Sequence, residues 1–182
     1  MKRTGKKIKI LALCSMLAAL GVVVLLLGSF IEVLDLSAAM FASLIVVIAV
    51  IEAGKYWPWL TYAVTSLTAL LLLPYKLPAV MYLLAGYYPI IKEKIEKLPK
   101  PIAWIIKLSL FNLSLALVLL VLKLFLPGVS IELVPGLKDI YTYLIYYASG
   151  NIIFVLYDIL LTRLVSFYVF KLRDRLGIGN KK

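Results

Sequence analysis

The chain of 182 residues is 64% hydrophobic, has a mean hydropathy of +1.03 and carries a formal net charge of +11. A soluble domain is about half apolar, and a domain of this size cannot bury the excess in one core, so the composition excludes an ordinary soluble fold. The chain has no histidine and one cysteine, which excludes an internal disulfide framework and removes the commonest metal ligand and acid–base group at neutral pH.

The apolar residues form continuous runs, which indicates an all-α integral membrane protein. The first run follows five basic residues and is too long for the apolar region of a cleaved signal peptide, the alternative interpretation. Pro58 and Pro78 open the third and fourth runs, and Pro89 interrupts the fourth. The sequence predicts a single transmembrane domain, 1–182, with six spans at about 10–31, 36–52, 57–73, 77–91, 102–126 and 139–168.

The positions of the basic residues predict the orientation of this six-helix bundle. Most of the lysine and arginine falls in the N-terminal tail, the 92–100 segment and the C-terminal tail, which six spans place on one side of the bilayer. Because basic residues accumulate on the cytoplasmic side, we expect both termini in the cytoplasm of a multi-pass protein in the cell membrane. The same rule explains the net charge without a nucleic-acid partner. The turn at 127–137, with two prolines and two glycines, is expected to form an outer loop or lid.

Small residues form a stripe on the first span. Cys14, Ala18 and Gly21 recur at helical spacing, and Ser15 and Ala19 form a second small pair beside them. Small side chains allow helix backbones to approach closely in lipid. The stripe therefore predicts either a docking face for a partner subunit or close packing within the bundle, and both alternatives stay open at this level.

Polar side chains occupy one face of the last predicted helix. Tyr143, Tyr147 and Asn151 follow one another at steps of four residues, and Asn112 lies at about mid-depth on the fifth span. Polar groups inside a span are costly and face the bundle interior or a cavity. These four residues are therefore predicted to bind a small-molecule ligand captured from outside. The alternatives are an interfacial tyrosine belt and a direct hydrogen bond between the two asparagines.

Two charged residues also fall inside predicted spans, Lys107 on the fifth and Asp158 on the last. Both lie toward the cytoplasmic side, so a structural ion pair is the simplest prediction, and a proton-relay carboxylate is the alternative. The sequence contains no HExxH zinc motif, no GxSxG nucleophile motif and no phosphate-binding P-loop. We therefore expect no enzymatic activity, no metal and no cofactor.

Two stretches of sequence and the spacing of the spans resemble a transporter family. The stretches are ALCSMLAALGVVVLL in the first span and EVLDLSAAMFASLIV, in which Asp35 and Ser37 open the second. Together with the basic C-terminal tail, they resemble the substrate-binding S components of energy-coupling factor vitamin transporters. The resemblance implies a six-helix protein that captures a vitamin-like solute. It also implies a transmembrane coupling subunit with two ATPases as the partner, because the chain has no ATP site of its own.

A competing hypothesis comes from another class of protein, a non-transporting membrane scaffold or accessory protein. A saturable small-molecule ligand would favour the transporter subunit. A tightly co-purifying protein without any ligand would favour the scaffold.

Overall fold

The computed structural model describes residues 2–54, 56–125 and 139–172, and every regular element in these ranges is helical. A short 3-10 helix, Glu32–Leu34, separates the first two helices, and a π-helical turn, Tyr168–Leu172, follows the last. The predicted loop at 127–137 and the basic tail at 173–182 lie outside the described residues. The α-helices are α1 (Lys2–Ser29), α2 (Asp35–Glu52), α3 (Trp57–Leu72), α4 (Leu77–Ala85), α5 (Tyr88–Ile95), α6 (Lys100–Phe125) and α7 (Asp139–Phe167).

Four segments in the described part of the chain are long and apolar enough to cross a membrane: Lys7–Ser29, Asp35–Glu52, Lys100–Leu117 and Tyr147–Lys171. The all-helical class and the apolar character expected of a membrane protein are therefore confirmed. The third predicted span corresponds to α3, whose 16 residues extend about 24 Å, short of a hydrocarbon core of roughly 30 Å. The fourth predicted span is divided between α4 and α5. The count of six spans and the position of the termini stay predictions.

The chain divides into two compact units, Met1–Trp104 and Ile105–Lys182. In the first unit, α2 packs against α1, α3, α4 and α5. The buried face of α2 allows this because it is rich in small residues, among them Ala38, Ala42 and Ala49, over which neighbouring backbones can approach closely. The prediction of one domain over residues 1–182 stays a prediction.

The tight turn between α1 and α2 depends on a glycine. A Cβ atom at Gly28 would overlap the methyl group of Ala38, so only glycine permits this approach of the two helices. Asp35 is buried in the first turn of α2, where a carboxylate interacts favourably with the helix dipole. The core of the first unit then forms between the helices from Leu25, Ala39, Ala42, Val46, Ala69, Leu73, Ala79, Tyr82 and Ile90.

The helical segment that contains Pro89 is broken three residues earlier, at Gly86. Proline has no N–H to donate to the carbonyl of residue 85, and its ring disfavours a continuous helix, so α5 begins anew with Pro89 in its first turn. The carbonyls at the end of α4 lose intrahelical donors at such a break. The Tyr62 hydroxyl from α3 donates to one of them, the Leu83 carbonyl, at 2.8 Å. The break is thus stabilised by a side chain from a neighbouring helix.

Candidate functional site

In the second unit, α6 and α7 are joined by a buried ion pair. Lys107 Nζ donates to both carboxylate oxygens of Asp158, at 3.0 and 3.1 Å, and both residues are buried. One turn further along each helix, the rings of Phe111 and Phe154 stack with centroids 4.5 Å apart. Higher numbers on α6 thus meet lower numbers on α7, so the two helices are antiparallel. Each charge is paired, as a membrane helix requires, because a lone buried charge is very costly.

The two asparagines of the predicted ligand site bond to each other. Asn112 and Asn151 each donate to the side-chain oxygen of the other at 3.0 Å. Each amide nitrogen gives its second proton to a backbone carbonyl one turn back, that of Leu108 at 2.9 Å and that of Tyr147 at 2.7 Å. All four amide protons are therefore used within the chain, and only acceptor capacity on the two oxygens remains for a ligand.

For the two tyrosines of the predicted stripe, Tyr143 and Tyr147, the described residues show no side-chain contact that would indicate a ligand site. Tyr147 is half-buried, and its carbonyl accepts the bond from Asn151. Tyr143 lies in α7, but its side chain is outside the described residues, as is the 127–137 loop. The structure thus brings Asn112 and Asn151 together as mutual partners, and ligand binding by the stripe stays a prediction.

A groove of about 440 Å³ runs between α1 and α3 in the first unit. Its α1 wall contains four of the five residues predicted to dock a partner, Cys14, Ser15, Ala18 and Ala19. Cys14 and Ala18 are buried, whereas Ser15 and Ala19 are exposed. Because these side chains are short, a neighbouring helix could approach the backbone of α1 closely along this groove. The α3 wall is formed by Trp57, Leu60, Thr61, Val64, Thr68 and Leu72.

Gly21, the fifth residue of the stripe, packs inward. A Cβ atom at this position would lie 3.0 Å from the methyl carbon of Thr65. The Thr65 hydroxyl donates to the Ala18 carbonyl at 3.4 Å, and Thr65 is almost completely buried. Close packing within the bundle is therefore seen at Gly21, and docking of a partner by the rest of the stripe stays a prediction. Gly21 packs α1 against α3, and Ser15 and Ala19 lie at an accessible groove.

Sequence reasoning missed an aromatic cluster beside the α4–α5 break. The ring centroids of Tyr62 and Tyr82 lie 5.8 Å apart, and Trp59 meets Tyr62 edge to face at 6.2 Å. The backbone of Gly86 covers both tyrosines, since a Cβ there would lie 2.8 Å from the Tyr82 ring and 2.9 Å from the Tyr62 ring. The signal in the sequence was the presence of Gly86 and Pro89 inside an apolar run, which predicts a broken helix. Broken helices occur within membranes where other parts of the protein bury them or where they form a binding site.

Tyr82 carries the unusual group of this cluster. Its side chain is fully buried, and no atom among the described residues lies in hydrogen-bonding geometry with its hydroxyl. The Thr65 hydroxyl lies nearby and gives its own proton to the Ala18 carbonyl. Its oxygen could still accept from Tyr82, but no bond of acceptable geometry forms between the two hydroxyls. Leaving a buried hydroxyl unbonded costs about 1–3 kcal/mol. Tyr82 therefore offers an unused hydrogen-bonding group in the interior of the first unit.

Across residues 2–54, 56–125 and 139–172, no three histidine, cysteine, aspartate or glutamate side chains converge where they could hold a metal ion. No protein family, curated protein or solved structure matches the chain. The groove, the paired polar groups of α6 and α7, and the Tyr82 cluster are therefore the features from which a function can be argued.

Proposed function

We propose that this chain is the solute-binding membrane subunit of an uptake transporter and that it docks its partner in the groove between α1 and α3. The observation that carries the proposal is the groove itself, about 440 Å³ in volume, with the small residues Ser15 and Ala19 exposed along one wall. Small residues four positions apart permit close approach of a second helix in lipid. The proposed occupant is a transmembrane helix of a coupling subunit, and two ATPases bound to that subunit supply the energy.

The proposal includes six spans with both termini on the cytoplasmic side of the cell membrane. The four long segments account for four spans, α3 for a fifth, and α4 with α5 for the sixth. The short spans are supported by their position, because α3, α4 and α5 all pack against α2. At the end of α4, for example, the Tyr62 hydroxyl satisfies the Leu83 carbonyl, which lipid could not do.

The solute is proposed to be small and vitamin-like, as the resemblance to S components implies. Support comes from the polar groups buried in the membrane helices of the first unit, among them Ser43, Thr61, Thr65 and Ser66. Their hydroxyl groups bond to backbone carbonyls, so they give the interior some polarity without leaving an unpaired donor. The sequence has no phosphate-binding loop, so energy for uptake has to come from the partner.

The docking proposal is tested with two matched alanine-to-leucine variants. Ala19→Leu fills the groove, whereas Ala63→Leu adds the same volume at an exposed position of α3 that does not line it. Both variants should melt like the wild type. Ala19→Leu protein purified from its own cells should lose the coupling subunit and the two ATPases, identified by mass spectrometry, and Ala63→Leu protein should retain them. Retention of these subunits by both variants would remove the groove as their docking site.

A non-transporting membrane scaffold is the second candidate. The pairs Asn112–Asn151 and Lys107–Asp158 favour it, because they consume polar groups that a solute site would otherwise use. A retained protein partner, together with no small molecule released when the purified wild type is denatured, would select the scaffold.

A further inference from the structure

The α4–α5 break lies beside the Tyr82 hydroxyl, which differs from the neighbouring hydroxyls in its hydrogen bonding. Tyr62 donates to the Leu83 carbonyl at 2.8 Å, and Ser66 donates to the Tyr62 carbonyl at 2.7 Å. Tyr82, whose ring lies 5.8 Å from that of Tyr62, has no such acceptor among the described residues. The neighbouring hydroxyls are thus satisfied by the backbone, and that of Tyr82 is not.

An unbonded hydroxyl is a poor choice for this position on structural grounds alone. Burying it costs free energy, and the membrane supplies no bulk water that could compensate. A phenylalanine ring would fill the same volume without that cost. A buried polar group of this kind calls for an acceptor that the chain itself does not supply.

The broken helix provides the means of reaching this hydroxyl. Gly86 covers the rings of Tyr62 and Tyr82 with bare backbone, and α4 and α5 are separate segments on either side of it. Movement of the two segments at Gly86 would uncover the hydroxyl, because a glycine at an element end accommodates backbone rotation most easily. Discontinuous membrane helices are also where transporters hold small solutes, since their ends carry free backbone groups.

We propose that the Tyr82 hydroxyl binds a small uncharged solute, with the Tyr62 ring as a wall of the site and the α4–α5 break as its entrance. The solute presents an oxygen or nitrogen acceptor to the hydroxyl. It is uncharged because Tyr62, Thr65, Ser66 and Gly86 carry no charge that could compensate a buried ion. The inference rests on the proposed function and deepens it, because it places the solute in the first unit and not on the stripe of α7.

The test compares Tyr82→Phe with Tyr56→Phe, which removes the same hydroxyl from an exposed tyrosine outside the site. Equal amounts of wild type and variants, purified from their own cells, are denatured, and the released small molecules are identified and quantified by mass spectrometry. Wild type and Tyr56→Phe should release the same uncharged compound in similar amounts. Tyr82→Phe should release about tenfold less, the effect of one lost hydrogen bond in a buried site.

The outcomes separate this site from the wider proposal. Release of an undiminished amount by Tyr82→Phe overturns the site and leaves the uptake function standing. Release of nothing by the wild type overturns both. A wild type that carries no solute but melts above Tyr82→Phe shows that the acceptor is a water molecule or the Thr65 hydroxyl, which also overturns the site.

Discussion

Replacing Asp158 by asparagine removes the charge that neutralises a buried lysine. The wild-type carboxylate accepts two hydrogen bonds from Lys107 Nζ, at 3.0 and 3.1 Å. The two side chains are 6% and 5% exposed, so solvent screens the pair very little. Removal of one partner from a buried ion pair costs about 3–5 kcal/mol, because the other charge remains desolvated. In a chain of this size 1 kcal/mol corresponds to about 2–4 °C in Tm. We therefore expect Asp158→Asn to melt about 6–20 °C below the wild type.

Removing both charges should be far less harmful than removing one. The double variant Lys107→Met with Asp158→Leu leaves no buried charge and keeps most of the side-chain volume. Apolar replacement of a whole buried pair is often neutral or stabilising, so its Tm should lie above that of Lys107→Met alone and that of Asp158→Leu alone. A loss of about 1 kcal/mol of unfolding free energy relative to the wild type, which lowers the Tm by about 4 °C at most, would still agree with this reasoning.

The assay is thermal unfolding of the purified protein in one detergent, followed by tryptophan fluorescence. Ser166→Ala serves as the control, because this exposed serine of α7 donates only to a backbone carbonyl of its own helix. Its Tm should match that of the wild type. The reasoning would be refuted if the double variant lost as much stability as Lys107→Met and Asp158→Leu lose in sum, since additive effects mean that the two charges do not interact.

Two further predictions concern orientation and packing. With Cys14 replaced by serine, a cysteine at position 76 (Lys76→Cys) should react with a membrane-impermeant maleimide added to intact cells, and Lys97→Cys should not; the opposite pattern would reverse the orientation. Gly28→Ala should lower the Tm, because the added methyl overlaps that of Ala38. The overpacking costs about 1–3 kcal/mol, which outweighs the gain of up to about 1 kcal/mol from better helix propensity. A Tm above that of the wild type would contradict the packing of α1 on α2.

The helical class could be predicted because long apolar runs have few stable forms in lipid. The starts of α2 at Asp35 and of α7 at Asp139 lie close to the expected starts because polar residues mark the ends of those runs. The break at Gly86 was harder to locate. Pro89 shows where an N–H is missing, but the stabilising contact comes from Tyr62, 21 positions away from its acceptor, and no local pattern reveals such a pair.

The stripe of small residues on α1 shows a second limit of sequence reasoning. Helical spacing places Ala19 and Gly21 on the same span, but it does not say which neighbour each will meet. In the fold Gly21 packs against Thr65, and Ala19 lines an open groove. The Tyr82 cluster was missed for the same reason, since its unusual property is the absence of a hydrogen-bond acceptor of suitable geometry among the described residues. That property depends on the packing of three helices and is not encoded by any spacing along one of them.

Thr65 gives the two proposed sites a common neighbour. Its hydroxyl bonds to the Ala18 carbonyl, on the stretch of α1 that forms the groove wall, and its methyl group packs against Gly21. The same side chain lies beside the Tyr82 hydroxyl. A partner helix beside Ala19 would contact the turn of α1 whose Ala18 carbonyl accepts the hydrogen bond from Thr65. Docking and solute binding would then both affect the position of the Thr65 side chain. Thermodynamic linkage then requires reciprocity: if docking weakens the hold on the solute by some factor, the solute weakens docking by the same factor. With coupling of that sign, the proposed uptake subunit would hold the solute when free and release it when its partner is engaged.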